Sequence, residues 1–322
     1  MIPQPLSTSV PNEFFSFETT TSSSSSWSNS SCKLTRSKTF VDEDDLLSPF
    51  IVDFKEMKLE RVIGEGRWSK VYLAEWLFQP VAVKILQGMD SVGERNTTEE
   101  AGLRERLVKE IGISSQLRHP NILLFMGASL DGSQPLSIVS EYFESGSLAD
   151  LISSVQTLTL EQKLHIAMSI ARGLLYLHSS NPRVLHRDLK LENVLVSSEG
   201  KRVVVADFGV SQLCFGGGEA SGPVGTPSTM APEVIEGEPY TPASDVYSFG
   251  IVLWEVFHQE RAFYGMNATQ IMYHVLQGGR PVSRRNSEML PETIGCLIDC
   301  CLAEDPISRP SIQEIVHVLQ HC

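Results

Sequence analysis

The sequence lacks several features that would place it in common classes of protein. No stretch of its 322 residues approaches the roughly 18 apolar residues of a membrane-spanning helix, and the first residues, MIPQPLSTSV, do not resemble a secretory signal. The six cysteines form no CxxC pair, so neither a structural zinc site nor a disulfide framework is indicated. We therefore expect no membrane span, and residence in the cytoplasm, with the nucleus as an alternative.

Positive charge is also scarce in this chain. The sequence has 26 Lys and Arg against 39 Asp and Glu, a formal net charge of −13. Because such a chain repels phosphate backbones, we expect no nucleic-acid partner. The hydrophobic fraction of 42% is ordinary, and a chain of this length can bury about three quarters of its unfolded surface, so a folded body is expected.

The texture of the sequence changes along the chain. Residues 1–50 contain 19 Ser or Thr and no sustained apolar period, which predicts a disordered tail over 1–54, either inert or a phosphorylatable regulatory segment. From residue 55, alternating apolar residues predict five antiparallel strands, with one helix over 103–117. Beyond Gly146 the apolar period is mainly helical, so the predicted fold class is α+β.

Two motifs in the first unit indicate anion binding. The run GEGRWSKV at 64–71 places glycines between two strands, where the backbone can approach phosphate oxygens, although a plain hairpin has the same pattern. Its strand–turn–strand setting argues against a dinucleotide fold. Lys84 follows on an apolar strand and needs an anionic partner, for which Glu110 on the predicted helix is the candidate.

The motifs of the second unit indicate phosphoryl transfer. The run HRDLKLEN at 186–193 places Asp188, Lys190 and Asn193 within six residues, and DFG follows at 207–209. Together they provide a carboxylate to orient a hydroxyl, a cation near the transferred phosphate, and the oxygen ligands of Asn193 and Asp207 that Mg²⁺ prefers.

With APE at 231–233, these motifs resemble those of eukaryotic protein kinases over residues 55–320. The runs LLFMG at 123–127 and DVYSFG at 245–250 are similar to the tyrosine-kinase-like group, particularly its Raf-like members. The resemblance implies a bilobal kinase fold, with a five-stranded antiparallel N-lobe bearing one helix (55–143) and a mainly helical C-lobe (144–320).

The resemblance also implies roles for individual residues, with ATP and Mg²⁺ as substrate and cofactor. Lys84, paired with Glu110, would hold the phosphates, Asp188 would act as the base, and Asn193 and Asp207 would hold Mg²⁺. Lys190 resembles the lysine of serine/threonine kinases that contacts the γ-phosphate. The implied ATP-binding residues are Ile63, Gly64, Gly66, Val71, Ala82, Lys84, Ser140, Glu141, Phe143 and Leu195, with Ser140 as the small gatekeeper.

Regulation is implied by Arg187, which in the family pairs with a phosphate added to the activation loop by an upstream kinase or by the chain itself. The loop candidates are Ser211, Ser221, Ser228 and Thr229; Thr226 either bonds near Asp188 and Lys190 or is itself a phosphoacceptor. Ser114 stands where the family has an apolar side chain, so we expect an easily displaced helix.

Protein substrates are expected, with basic residues near the phosphoacceptor if Glu192 contacts them as in related kinases; Glu192 is otherwise only a solvated carboxylate. Glu233 is expected to pair with Arg309 in a buried bridge. Two alternatives to a serine/threonine kinase stay open: a pseudokinase scaffold that binds nucleotide without turnover, and a kinase of dual specificity.

Overall fold

The computed structural model describes residues 48–66, 69–86, 97–131, 134–154, 157–197, 200–214, 225–283 and 290–322. Most of the predicted tail therefore lies outside the described residues. Its last part is structured: a 3₁₀ turn spans Ser48–Phe50, and the Val52 N–H donates a hydrogen bond of 2.9 Å to the Ala128 carbonyl. This segment runs along the edge of the first sheet.

The first lobe contains a five-stranded antiparallel sheet, as predicted. Its strands are arranged in the order β1-β2-β3-β5-β4, and every pair is antiparallel. Apolar residues on one face of this sheet pack against a helix, and those on the other face form a second cluster that includes Val81, Val83 and Val139. The strands are β1 Lys58–Glu65, β2 Ser69–Trp76, β3 Gln79–Leu86, β4 Phe125–Ser129 and β5 Ser137–Glu141.

Helix α1, Thr97–Ser114, is the helix predicted for this lobe, but it begins six residues earlier and ends three residues earlier than expected. Among the six additional residues, TTEEAG, only the alanine has an apolar side chain, so the apolar period cannot indicate a helix there. Leu107 and Ile111 of α1 are buried against Phe125 and Ile138 of the sheet. This packing sets the position of the polar face of α1 that carries Glu110.

The second lobe is mainly helical, which confirms the α+β class. In the described residues of this lobe, four short strands accompany the helices, and they form two antiparallel pairs, β6 with β9 and β7 with β8. The strands are β6 Arg183–Leu185, β7 Val194–Val196, β8 Val203–Val205 and β9 Gln212–Cys214. The helices are α2 Leu148–Ser153, α3 Leu160–Ser179, α4 Pro232–Glu236, α5 Pro242–His258, α6 Ala268–Leu276, α7 Glu292–Cys301 and α8 Ile312–Leu319.

Local sequence signals explain where the long helices of this lobe begin. Thr159 and Gln162 form a reciprocal capping box at the start of α3, with hydrogen bonds of 3.2 and 2.8 Å. Helix α5 begins with Pro242, a residue suited to the first helical turn, and is buried from Ser244 to Phe257. Helix α5 therefore lies inside the lobe, where α3 and α7 contact it. None of the helices in the described ranges is long and apolar enough to cross a membrane.

Candidate active site

The β1–β2 hairpin covers one side of a cleft of about 820 Å³. Gly64 is paired with Val71 across the hairpin, and the Gly66 N–H donates to the Ser69 carbonyl at 2.8 Å. Ile63, Gly64, Gly66 and Val71, all predicted ATP-binding residues, line the cleft. Residues 67–68 of the same hairpin lie outside the described residues. The glycines thus bring main chain to the cleft without side chains in between.

Lys84 joins the two lobes at the back of this cleft. Its Nζ donates to Glu110 Oε1 and to Asp207 Oδ1, each at 2.9 Å. The pair predicted between Lys84 and Glu110 is therefore formed. A Cβ on Gly209 would lie 3.2 Å from Glu110 Oε2, so glycine permits the close approach of α1 to the loop after Asp207.

The charges of this trio depend on one another. Burial alone would lower the pKa of Lys84, but Asp207 and Glu110 outweigh it and raise the pKa above its usual value. Burial raises the pKa of Glu110, against the effect of Lys84. Burial also opposes ionisation of Asp207, but the charge and hydrogen bond of Lys84, together with His186 and the Gly209 N–H, outweigh it and lower the pKa. Asp207 therefore stays ionised at neutral pH, as a metal ligand must be.

Asp188 lies at the centre of a second polar cluster. Lys190 Nζ donates to Asp188 Oδ2 at 2.7 Å, and the Thr226 hydroxyl donates to Asp188 Oδ1 at 2.6 Å. Lys190 also donates to Thr226 Oγ1 at 2.8 Å, and Asn193 Nδ2 donates to the Asp188 carbonyl at 2.8 Å. Of the two roles considered for Thr226, the structure places its hydroxyl in contact with Asp188 and Lys190.

The loop that carries Asp188 is anchored by Asp245 of α5, a role that the sequence reading missed. The two carboxylate oxygens of Asp245 accept the N–H groups of His186 and Arg187, each at 3.0 Å. They also contact His178 Nε2 and the Tyr240 hydroxyl, both at 2.8 Å. A charged residue within the apolar sequence of α5 was the available signal, since a buried carboxylate requires such partners.

The predicted adenine pocket is apolar and adjoins the segment between the lobes. Ser140 pairs with Ala82 across the sheet, and both side chains reach the cleft. Every residue predicted to bind ATP lines this cleft, as does Ala206. The complete set is Ile63, Gly64, Gly66, Val71, Ala82, Lys84, Ser140, Glu141, Phe143 and Leu195.

Arg202 holds the connecting segment from the second lobe. Its guanidinium donates to the Glu141 carboxylate at 2.7 and 3.1 Å, and it lies 5.2 Å from the centre of the Phe143 ring. Glu141 Oε1 also accepts the Leu124 N–H at 2.9 Å. The sequence offered no signal for this contact, because Arg202 lies 61 residues from Glu141.

The predicted loop phosphoacceptors differ in accessibility. Ser211 is fully buried and donates to the His186 carbonyl at 3.1 Å, and Thr229 is buried and donates to the Thr226 carbonyl at 3.3 Å. Ser228 is half-buried, and Ser221 lies outside the described residues. Arg187, the expected phosphate partner, donates to Gln212 Oε1 at 2.8 Å.

Two further predicted pairings concern residues outside the cleft centre. Glu233 and Arg309 form the expected bridge, with two contacts of 2.8 Å and an Arg309 side chain that is fully buried. Glu192 lines the cleft, but its carboxylate accepts a hydrogen bond from Arg261, a residue that the sequence reading did not consider.

Ser114 also lines the cleft, as do Phe125 and Phe208. The rings of Phe208 and His186 are in edge-to-face contact at 5.5 Å. Ser114 is buried, and its short side chain adds little apolar surface to this group. Ser114, which the resemblance places where related kinases have an apolar side chain, is thus a buried residue and the last residue of α1.

Comparison with known proteins identifies the family. The model of the protein kinase domain matches residues 57–320. The chain belongs to the protein kinase family. It is 36% identical to "Serine/threonine-protein kinase CTR1" of Arabidopsis thaliana over 288 residues, which cover 87% of this chain and 33% of that protein.

Two other relatives of this kinase carry similar names. It is 37% identical to "Probable serine/threonine-protein kinase drkA" of Dictyostelium discoideum, over 84% of this chain and 40% of that protein. It is 34% identical to "Mitogen-activated protein kinase kinase kinase 7" of Homo sapiens, over 84% of this chain and 42% of that protein. The expected resemblance to serine/threonine kinases of the tyrosine-kinase-like group is confirmed, and the chain spans less than half the length of these relatives.

The family implies ATP and a divalent cation, and the donor set fits them. Lys84 offers an ammonium donor for phosphate oxygens in the cleft, and the glycines of the hairpin allow a phosphate to approach the main chain. Asn193 uses its Nδ2 to contact Asp188, which leaves its amide oxygen for a metal ion, and Asp207 contributes an ionised carboxylate. Such oxygen ligands suit Mg²⁺, which binds through one or two protein groups together with phosphates.

Proposed function

We propose that this kinase transfers the γ-phosphoryl group of ATP to serine and threonine hydroxyls of proteins. The observation that carries the proposal is the cluster of Asp188, Lys190 and Thr226, whose polar atoms lie 2.6 to 2.8 Å from one another. The proposal is supported by the complete set of Lys84, Glu110, Asn193 and Asp207, and by the names of the relatives.

Each step of the transfer has a residue to support it. Asp188 Oδ1 already accepts a hydrogen bond from one hydroxyl, that of Thr226, so it can accept the proton of a substrate hydroxyl as that oxygen attacks the γ-phosphorus. The bond from the γ-phosphorus to the bridging oxygen breaks as the new bond forms, and ADP leaves. Lys190 can stabilise the charge on the transferred group, because its Nζ lies beside Asp188.

The remaining residues position the nucleotide. Lys84 would hold the α- and β-phosphates, and Glu110 fixes the direction of Lys84 through its bond of 2.9 Å. Asn193 and Asp207 would hold Mg²⁺, which neutralises phosphate charge when it is bound. The apolar walls formed by Ala82 and Leu195 would enclose the adenine ring.

The identity of the substrates and regulators is part of the same proposal. We expect protein substrates, and a basic side chain near their phosphoacceptor would contact Glu192 only by displacing Arg261, which binds its carboxylate. We also expect phosphorylation of the loop, by an upstream kinase or by the chain itself, to provide a phosphate near Arg187. The cytoplasm, with the nucleus as an alternative, stays the predicted compartment.

The test is transfer of label from γ-labelled ATP in the presence of Mg²⁺, with analysis of the labelled amino acids. We expect label on Ser and Thr, and a loss of at least about a hundredfold in Asp207→Ala, because a charged group of the transfer centre is removed. Asp299→Ala, an exposed aspartate of α7, is the matched control and should keep full activity. A folded, ATP-binding protein that transfers no label would support the scaffold, and label on Tyr as well would support dual specificity.

A further inference from the structure

A charged cluster of three residues adjoins the transfer centre without belonging to it. Glu192 lies in the 3₁₀ turn Leu191–Asn193, two residues after Lys190, whereas Glu255 and Arg261 belong to the end of α5 and the segment after it. The Arg261 Nη2 donates to Glu192 Oε1, and its Nε lies 3.9 Å from Glu255 Oε1. One guanidinium therefore bridges two carboxylates.

Glu255 and Glu192 differ in how they can respond to a ligand. The Glu255 side chain is 6% exposed, and its Oε1 accepts the Ala262 N–H at 3.0 Å. The side chains of Glu192 and Arg261 are each 43% exposed. Glu255 and the Ala262 main chain thus form the fixed part of the cluster, and the bond between Glu192 and Arg261 is accessible to an incoming peptide.

The charges in this cluster nearly cancel at neutral pH. Burial raises the pKa of Glu255 to about 7, so this carboxyl carries only part of a negative charge there. The single positive charge of Arg261 therefore offsets the charge of Glu192. A basic side chain of a substrate would meet a carboxylate whose attraction is already satisfied.

An intramolecular partner of this kind competes directly with a substrate for the same carboxylate. Arg261 is tethered close to Glu192, so its effective concentration exceeds that of a free peptide. Exposed ion pairs contribute little to stability, so removal of Arg261 should leave the lobe folded and the carboxylate available.

We propose that Arg261 is a specificity-determining residue, because it occupies the Glu192 carboxylate and suppresses selection for basic residues in the substrate. The proposal rests on the proposed function, since it concerns the peptide that the kinase binds. It predicts that the wild type has a weak preference for basic peptides and that a variant without Arg261 has a strong one. Glu192 lines the cleft four residues after Asp188, so we expect the change in preference at peptide positions near the phosphoacceptor.

The experiment compares peptide pairs that differ only by Arg or Gln at one position, with the position varied along the residues before the phosphoacceptor. For the wild type we expect ratios of kcat/KM within about twofold at all positions. For Arg261→Ala we expect a preference for Arg of about tenfold at one position, the size of a charged hydrogen bond gained. In the double variant Arg261→Ala/Glu192→Gln this preference should disappear.

Arg172→Ala removes an exposed arginine from α3 of the same lobe and should leave all the ratios unchanged. The affinities of the same peptide pairs are also measured by fluorescence anisotropy, which requires no turnover, and are compared as ratios in the same way. If the wild type phosphorylates none of the peptides, the proposed function is contradicted. The peptide affinities would still test whether Arg261 suppresses the preference for Arg. A wild-type preference of tenfold, or equal ratios in the wild type and Arg261→Ala, would overturn the inference.

Discussion

At the scale of single residues, the two carboxylates that contact Lys84 differ in the direction of their pKa shifts. The pKa of Asp207 is lowered by the Lys84 charge, whereas burial raises the pKa of Glu110. Asp207 is therefore suited to bind a cation, and Glu110 is suited to orient Lys84. Two carboxylates at the same distance of 2.9 Å from one ammonium thus serve different purposes because their surroundings differ.

Glu255 provides a prediction about pH at this scale. Its pKa is about 7 in the folded protein against an ordinary value of 4.5, so between these values the folded state holds a proton that the unfolded chain has released. The free energy of unfolding should therefore fall as pH rises through this range. Glu255→Gln, which keeps an acceptor for the Ala262 N–H, should remove this contribution.

The measurement is urea unfolding of both proteins at pH 5 and pH 8. Relative to Glu255→Gln, we expect the wild type to lose about 2 kcal/mol of unfolding free energy between these pH values. Parallel pH dependences in the two proteins would mean that Glu255 ionises at its ordinary pKa. Because only the difference between the proteins is used, titration of other carboxylates cancels.

Single residues also show how far the sequence could predict the site. Asp188, Asn193 and Asp207 lie in motifs with fixed spacing, so their grouping followed from the pattern alone. Arg202 and Arg261 are outside any motif, and their partners lie 61 and 69 residues away. Contacts of this kind depend on tertiary packing, which a single sequence does not reveal.

At the scale of elements, the position of α1 determines whether Glu110 reaches Lys84. The helix is held by Leu107 and Ile111 on its apolar face, and its last residue, Ser114, is buried and lines the same cleft as Phe125. A serine adds little apolar surface there, so the inward position of the helix is less stable than it would be with an apolar residue. The sequence predicted this helix but placed both ends incorrectly, the first because the first turns lack an apolar period. That the helix is easily displaced stays a prediction.

Ser114→Leu should favour the inward position of α1. Burial of the larger side chain is worth roughly 1–2 kcal/mol, which shifts a two-state equilibrium severalfold or more. We expect an increase in kcat of severalfold for protein that is not phosphorylated in its loop, together with a higher melting temperature. Ser115→Leu, which adds the same side chain at the next residue, is the control and should change neither quantity by as much. Activity that stays constant or falls in Ser114→Leu would contradict this prediction.

At the scale of the whole molecule, α5 and the residues around it connect distant parts of the second lobe. Asp245 binds the loop that carries Asp188, and Ser248 of the same helix donates to the Thr229 carbonyl at 2.7 Å. The loop that carries Asp188 and the segment after Thr226 are thus fixed to one buried helix. The helical period of its apolar residues predicted α5 from the sequence. The partners of its polar residues could not be predicted, because most of them lie far away in the sequence and meet the helix only in the folded lobe.

The Glu233–Arg309 bridge extends this framework to the C-terminal part of the chain. Arg309 is fully buried, and besides Glu233 it donates to the carbonyls of Ala243, Ala303 and Glu304 at 2.8 to 3.1 Å. Arg309→Leu would leave the Glu233 carboxylate buried without its counter-charge. Breaking such a pair costs about 3–5 kcal/mol, so we expect a loss of that size in the free energy of unfolding.

Urea unfolding of four variants tests this prediction. Arg309→Lys keeps the charge but not the planar fork of donors, so it should recover less than half of the loss. Arg172→Leu, a change of the same kind at an exposed position, should alter the free energy by less than about 0.5 kcal/mol. If Arg309→Leu does not fold, Glu233→Gln, which keeps the shape of the partner and removes its charge, gives the measurement instead. A loss below about 1 kcal/mol in both Arg309→Leu and Glu233→Gln would show that the bridge does not hold the two ends of the lobe together.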